Sequence, residues 1–370
     1  MTLGTHFRRN LIRGAVVLLI LVVGWAGWQA FRAWRAWSTV ERIPFQVNDA
    51  REAMGTLVTT PTSPGQPTGE DSPTGEDETP GTLPTHITIP ASPRLEPEAL
   101  QAFLVIGSDY RPQHGTSSRA DVILLVILPA DGADPVMVSI PRDLYLPNPC
   151  TGGLTRINAA LNGCGSAATG PELLTVAVED FTGVQIDHFA LFDFEGFKSI
   201  IDRVGGVEIC VEYPVSDPRT DPPLDLAAGC TVADGPMTLS WVRSRHTREL
   251  VDGMWRPMEG VNDLARNQRQ QELLLDALSR LKSFGSLAEF GALVEDLAGT
   301  FTIDEGLTLG NAVNLAWGMR DINVSSIKRP TIPVADYTTS GGAQVLLPQA
   351  SFAEVLESAY AGAASILAGD

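Results

Sequence analysis

Positive charge is scarce in this chain of 370 residues: 26 lysines and arginines stand against 44 aspartates and glutamates, a formal net charge of −18. A field of that sign opposes binding along a nucleic-acid backbone, so no nucleic-acid partner is expected. Lysine is scarcer still in the middle of the chain, where residues 101–275 hold twelve arginines and one lysine, Lys198. Arginine forks suit bidentate phosphate recognition, so a local anion site remains compatible with the overall charge. Cysteines number four, at 150, 164, 210 and 230, with neither a CxxC pair nor an accompanying histidine pair, which argues against zinc. His114, His188 and His246 lack metal spacing, and Ser108 and Ser118 lack a paired base, which argues against a serine nucleophile. An even cysteine count in an oxidising compartment points to disulfides. Three connectivities are possible, and pairing Cys150 with Cys164 and Cys210 with Cys230 closes the shortest loops.

One apolar run dominates the N-terminal region. Gly14–Ala30 carries no charge, follows Arg8, Arg9 and Arg13, and merges into a belt of Trp25, Trp28, Trp34 and Trp37. The run is just long enough to span a bilayer, and the arginines ahead of it outnumber Arg32 and Arg35 beyond it. A cleaved signal peptide has a similar apolar core. The length of the run and the lack of a small-x-small site before the aromatic belt favour a retained anchor. The expected order is a cytoplasmic N-terminus (1–13), a single transmembrane helix (14–31), a membrane-proximal segment (32–58) and an extracellular bulk in the cell membrane. Residues 59–98 are dominated by Pro, Thr, Gly, Ser and acids, with PTGED at 67–71 and again at 73–77. Such a segment forms no core and reads as a disordered linker, an extended tether lifting the rest of the chain off the membrane.

From residue 101 the pattern becomes α/β. Ala102–Gly107, Val122–Leu128 and Val136–Ile140 read as buried strands, and Asp131–Pro135 reads as the turn joining the last two. A tight turn makes those two antiparallel, so Asp121, before one, and Arg142, after the next, meet at one sheet edge. Asp109 joins them if the first strand runs parallel to Val136–Ile140. Pro171–Phe181 reads as a helix, His188–Phe194 as a strand, and Glu195–Val204 as a helix stopped by Gly205 and Gly206. A further helix starts at Asp234 as N-cap and delivers Arg243 and Arg245 at its end. Residues two apart share a direction only in extended chain, so both arginines serve one site only past the helix end. Asp263–Arg280 reads as a helix with Arg266, Arg269 and Gln270 on one face. The remainder reads as helices at Leu287–Ala298, Asp304–Met319 and Phe352–Leu367 with a strand at Val324–Lys328. The expected fold is a three-layer α/β/α arrangement around a mixed central sheet, with residues 99–285 as the catalytic domain and 286–370 as an extension completing it.

Asp109 and Asp121 can hold a divalent cation, while Arg142, Arg243, Arg245 and Arg266 can grip the phosphates that cation bridges. That is the make-up of a pyrophosphate site. Behind a membrane anchor, the diphosphate is expected to be attached to something at the outer face of a membrane.

The motifs FLVIGSDYR, SRADVILLV, SIPRDLYL, RINAALNG, IDHFALFDFEGF, VGGVEI, VRSRH and DLARNQRQQ follow one another between about residues 104 and 271. Together they resemble the LytR-CpsA-Psr proteins. The resemblance implies a membrane-anchored glycan phosphotransferase that moves a polymer from an undecaprenyl pyrophosphate carrier to peptidoglycan through a phosphodiester. It implies that Asp109 and Asp121 are Mg²⁺ (or Mn²⁺) carboxylates, and that Arg142, Arg243, Arg245 and Arg266 with Gln270 are pyrophosphate ligands. Arg119 is implied as a further pyrophosphate contact, and Asn158, Asp143 and Arg269 as supports. Asp109 or Asp143 is a candidate general base. Apolar residues for the prenyl chain are expected from Val122–Leu128 or the helices facing it. Two departures stand out. Thr247–Asn262, with Met254, Trp255 and Pro257, lengthens the connection between two motifs and reads as a surface insertion or an acceptor lid, and Arg156 stands where lysine is common. A lipid-pyrophosphate hydrolase and a non-catalytic lipid-diphosphate receptor are the rival functions.

Overall fold

The structure is a computed structural model that describes residues 25, 27–59, 89–94, 100–109, 118–130, 132–258, 272–273, 276, 286–320 and 322–360. The described chain opens with a helix, α1 (27–38), followed by β1 (Glu41–Ile43) and α2 (Val47–Thr59). After residue 99 come β2 (Leu100–Ser108), β3 (Ala120–Pro129), β4 (Val136–Ser139), β5 (Tyr145–Pro147) and β6 (Leu154–Arg156). Then follow α3 (Gly170–Thr182), β7 (His188–Phe192), α4 (Phe194–Arg203), β8 (Val207–Val211), β9 (Val215–Asp217), β10 (Leu224–Leu226) and β11 (Gly229–Ala233). The chain continues as α5 (Gly235–Arg243), β12 (Arg248–Val251), β13 (Met254–Pro257), α6 (Leu287–Leu297), β14 (Thr302–Asp304), α7 (Leu309–Arg320), β15 (Val334–Thr338), β16 (Gln344–Pro348) and α8 (Phe352–Ala359).

Among the described residues, six strands form a mixed central sheet in the order β1-β14-β7-β2-β3-β4. The period of two sorts its side chains onto two faces. Leu104, Ile106, Ile123, Leu125, Ile127 and Phe189 bury against Ala50 and Met54 of α2, Leu174 and Val178 of α3, and Phe352 of α8. From the same strands Val105, Leu124 and Val126 join Met137 and Ile327, and Ala190 joins Ile303 beside α1, α6 and α7. The α3 helix starts where it does because Thr169 and Glu172 form a capping box, and it stops at Gly183, whose φ of +74° suits glycine. Its Glu172 also accepts from the Gln46 N–H at 2.9 Å, tying the chain ahead of α2 to the core.

The strand pairings place β2 and β4 on either side of β3, each antiparallel to it, so β2 and β4 run parallel. That is the condition under which Asp109 meets Asp121 and Arg142. Cys150–Cys164 and Cys210–Cys230 are the two disulfides, with Cα separations of 5.7 and 4.0 Å. The second staples the β8–β11 ladder, where the two cysteines lie opposite each other. Replacing both Cys210 and Cys230 by alanine is expected to cost about 3 kcal/mol, the chain-entropy value for a loop of this length, read as a shift in urea midpoint.

Several expectations are corrected. The membrane-proximal segment is part of the fold: β1 is an edge strand of the central sheet, parallel to β14, and Met54 of α2 is 1% exposed in the main core. Most of the proline-rich linker lies outside the described residues, but it leaves from α2 and the chain re-enters at Pro93, whose carbonyl packs against Gly183. The described residues on either side of that segment, in α2 and at Pro93, thus pack on the same body. Residues 248–257 of the expected insertion form the β12–β13 hairpin, which extends a sheet of order β10-β9-β12-β13. Val324–Ser326 is a 3-10 turn rather than a strand, with a single bridge between Lys328 and Val136. The helix expected from Asp304 begins at Leu309, because Thr302–Asp304 pairs into the central sheet, and the last helix ends at Ala359. Among the described residues no helix is long and apolar enough to cross a membrane. Residues 14–24 and 26 of the apolar run, and all of the expected helix Asp263–Arg280 but residues 272, 273 and 276, lie outside the described residues, Arg266, Arg269 and Gln270 among them.

Candidate active site

The site sits where β2, β3 and β4 end together. Gly107 pairs with Val122 and Ser108 with Ala120, so Asp121 is the extra residue of a β-bulge. A bulge leaves its extra residue out of the ladder and re-aims its side chain. Glycine at 107 permits the close approach, since a Cβ there would lie 2.9 Å from Val122 Cβ. Beyond the bulge the strands stay joined: the Asp109 N–H donates to the Arg119 carbonyl at 3.0 Å, and the Arg119 N–H donates to Asp109 Oδ1 at 2.7 Å.

Arg142 lies in the turn after β4 and donates from Nη1 to Asp121 Oδ1 at 2.5 Å. Its Nε lies 3.3 Å from Asp143 Oδ2, and Arg156 Nε lies 3.3 Å from the other Asp143 oxygen. Asp143 therefore stands between two guanidiniums. Asn158 is buried, and its backbone N–H donates to the Arg142 carbonyl at 3.2 Å, so the 3-10 turn at Ile157–Asn162 holds the Arg142 turn in place. Arg156 is further held by the Gln344 carbonyl of β16 at 2.8 Å.

The second pair of arginines arrives on α5, capped by Asp234, whose side chain accepts from the Met237 N–H. The helix ends at Arg243, Ser244 is extended at φ −59°, ψ 128°, and Arg245 lies past the helix end at the start of a bend. The Arg243 guanidinium lies 4.3 Å from the centroid of the Phe194 ring, a cation–π contact that orients it over α4.

What holds this turn was not visible in the sequence. Asp217, at the end of β9, is 1% exposed and accepts from Ser244 Oγ at 2.5 Å and from the His246 N–H at 3.3 Å. Its other oxygen accepts from the Arg219 N–H at 3.0 Å, and Ser244 Oγ also meets Thr247 Oγ1 at 2.6 Å. Burial alone pushes the Asp217 carboxyl up, but the Ser244 hydroxyl, the two backbone N–H donors and the nearby His246 outweigh it and hold it below the usual carboxylate range. A depressed folded-state pKa contributes stability above the unfolded value, near pH 4, and that contribution is lost as pH falls through the folded value. Asp217→Asn is accordingly expected to cost about 1–3 kcal/mol at neutral pH. Urea unfolding from pH 7 to pH 2.5 should show the gap between variant and parent closing only below about pH 4.

These residues line two cavities. One is walled by Val122, Phe192, Phe194, Phe197, Leu239, Val242 and Leu273, with Asp121, Arg142, Arg243 and Arg245 at its rim. The other is polar and holds Asp109, Arg119, Asp121, Arg142, Asp143, Arg156, Asn158 and Arg245. Asp121, Arg142 and Arg245 belong to both. An apolar slot and a charged basin thus meet at one carboxylate and two guanidiniums. Of the apolar lining, Val122–Leu128 supplies only Val122, and the rest comes mainly from α4, α5 and the end of β7. Asp336 of β15 is a further carboxylate on the polar side that sequence reasoning did not single out.

Comparison with known proteins agrees with this geometry. The LytR_cpsA_psr family model matches residues 77–360. The chain belongs to the LytR-CpsA-Psr family. Among curated LytR-CpsA-Psr relatives, the probable cell wall biosynthesis protein LcpB of Corynebacterium glutamicum is 33% identical over 270 residues, covering 69% of this chain and 59% of that protein. The polyisoprenyl-teichoic acid–peptidoglycan teichoic acid transferase TagV of Bacillus subtilis is 28% identical over 214 residues, covering 56% of this chain and 51% of that protein. The chain thus spans little more than half the length of these relatives. Of solved structures, a LytR-Csp2A-Psr enzyme from Actinomyces oris superposes with a TM-score of 0.56 at 25% identity, over 74% of this chain and 95% of that one. A structure of TagT bound to LIIa-WTA gives 0.55 at 21% identity, over 76% and 99%, a likeness of fold. The mixed α/β architecture is shared throughout.

Proposed function

We propose that this chain is a glycan phosphotransferase of bacterial cell-wall assembly, moving a glycopolymer from an undecaprenyl pyrophosphate carrier to peptidoglycan through a phosphodiester. One observation carries the reading: the apolar slot and the charged basin share Asp121, Arg142 and Arg245. A prenyl diphosphate has the same division, an apolar tail joined to two phosphates. The tail lies between Phe194, Phe197, Leu239 and Val242, the diphosphate between Arg142, Arg243 and Arg245, and the glycan and acceptor lie in the basin. The names of the relatives, a cell wall biosynthesis protein and a teichoic acid transferase, support the substrate class.

In this reading an acceptor hydroxyl oxygen forms a bond to the phosphorus that carries the glycan. The bond from that phosphorus to the bridging oxygen breaks, the electron pair leaves on polyprenyl monophosphate, and the hydroxyl proton passes to that phosphate or to water. Charge builds on phosphate oxygens, where the fixed guanidiniums stabilise it without reorganising. Asp109 and Asp121 suit Mg²⁺ (or Mn²⁺): they are hard oxygen donors, and among the described residues Asp109 Oδ2 and Asp121 Oδ2 accept no hydrogen bond. Such an ion neutralises diphosphate charge when bound. Asp143, flanked by two arginines, positions Arg142 rather than taking the acceptor proton, so Asp143→Asn is expected to leave the pH profile of transfer unshifted. The N-terminal apolar run anchors the chain by a single membrane pass, with the site on the outer side.

Product analysis tests the reading. The full chain, given a prenyl-pyrophosphate-linked glycan, is expected to form a glycan–peptidoglycan phosphodiester and polyprenyl monophosphate, both dependent on acceptor. Release of glycan phosphate at the same rate without acceptor would make the chain a hydrolase instead. Retention of donor with no turnover would make it a receptor.

A further inference from the structure

Trp25, Trp28, Phe31 and Trp34 are spaced three apart and are 61%, 59%, 48% and 58% exposed. Residues three apart are neighbours on a helix surface, so Trp28, Phe31 and Trp34 fall within an arc of about 120° on one side of α1, while Trp25 lies ahead of residues 27–38 and is no part of that side. The opposite side is docked: Ala36 and Trp37 are buried with Val294 and Ala298 of the α6 region and Ile303 of β14, and Ala33 is buried on the same side. The approach is close, since a Cβ on Gly291 of α6 would lie 3.0 Å from the Ala33 Cβ. Arg32 pairs with Glu295 of α6 at 2.7 Å, and Arg42 stacks 5.6 Å from the Trp37 ring centroid. The helix is thus fixed to the catalytic body while presenting a row of large aromatics outward.

We infer that this aromatic row is a seat on the lipid surface, holding the catalytic body directly against the bilayer. Two features name the occupant. Trp28 lies near the end of the uncharged run Gly14–Ala30, Phe31 and Trp34 follow directly on it, and tryptophan's amphipathic ring favours the headgroup boundary over either water or hydrocarbon. The proline-rich segment comes only after α2, so no tether separates the seat from the body. The seat also reaches the site. One helix, α6, touches α1 on one side and α4 on the other, where Arg203 pairs with Asp296 at 2.5 Å. The α4 helix carries Phe194 and Phe197, which wall the apolar slot. A seat one helix away from that slot keeps its height over the bilayer constant, as extraction of a lipid-anchored donor requires.

The seat rests on the membrane-anchor reading, and the test separates the two. The full chain with Trp25→Phe and Trp28→Phe keeps the aromatic row and leaves Trp34 as its fluorescent member. It is reconstituted into vesicles of phosphatidylglycerol and phosphatidylethanolamine carrying a doxyl group at a shallow acyl position, and recovery with the vesicles is measured by flotation. Trp34 emission is expected to be quenched, with that quenching lost when Trp34→Phe is added. A circular dichroism melt checks that both variants fold as the parent does. Chain that floats with the vesicles but shows no Trp34-dependent quenching overturns the seat and leaves the anchor standing. Chain that does not float overturns the anchor, and the seat with it.

Discussion

Arg142→Ala is expected to lower kcat/KM for glycan transfer by about 100- to 1,000-fold, the usual cost of removing one preorganised donor from a developing oxyanion. The residue faces both cavities and holds Asp121 at 2.5 Å and Asp143 at 3.3 Å, so the deletion also leaves two carboxylates without the guanidinium that separates them. The loss should fall mainly on kcat if Arg142 gains most from charge that develops during transfer. Arg142→Lys restores the charge but not the planar fork that engages Asp121 and a phosphate together, and it should recover only a minor part of the rate. Steady-state transfer assays on the two variants, with thermal melts to confirm folding, check the ordering parent, lysine, alanine.

Asp121→Ala is expected to remove both divalent-ion binding and transfer, the latter by about 1,000-fold if the ion supplies several kcal/mol of charge neutralisation. The effect should exceed that at Asp143, because the bulge at Gly107–Ser108 points Asp121 into the junction of the two cavities while Asp143 is held by Arg142 and Arg156. Calorimetric titration with Mg²⁺ and Mn²⁺, run beside the transfer assay, checks both halves. Loss of ion binding with transfer intact would remove the metal from the account and leave the arginines as its electrostatic machinery.

The convergence of Asp109, Asp121 and Arg142 was legible because a tight turn dictates antiparallel pairing and the strands are long enough to show their apolar pattern. The end of α5 was legible for a similar reason: Asp234 signals a cap, and two arginines two apart demand extended chain past it. The bulge was not, since it depends on how Gly107 meets Val122 across the sheet. Nor was Asp217, whose grip on Ser244 joins residues 27 apart in sequence through a buried contact. Three-residue strands such as β1 and β14 carry too little pattern to be read, which is why the segment ahead of the proline-rich stretch showed no sign of belonging to the central sheet. The hairpin at residues 248–257 did not read as a pair of strands because its outward residues, Met254 and Trp255, break the polar–apolar alternation.

The central claim is that one prenyl diphosphate occupies the seam between the two cavities. A structure of the full chain with a bound prenyl pyrophosphate tests it most directly. The account predicts the diphosphate within hydrogen-bond reach of Arg142, Arg243 and Arg245, with the tail running between Phe194 and Leu239. A diphosphate bound away from these arginines, or a tail that leaves the slot empty, would contradict it.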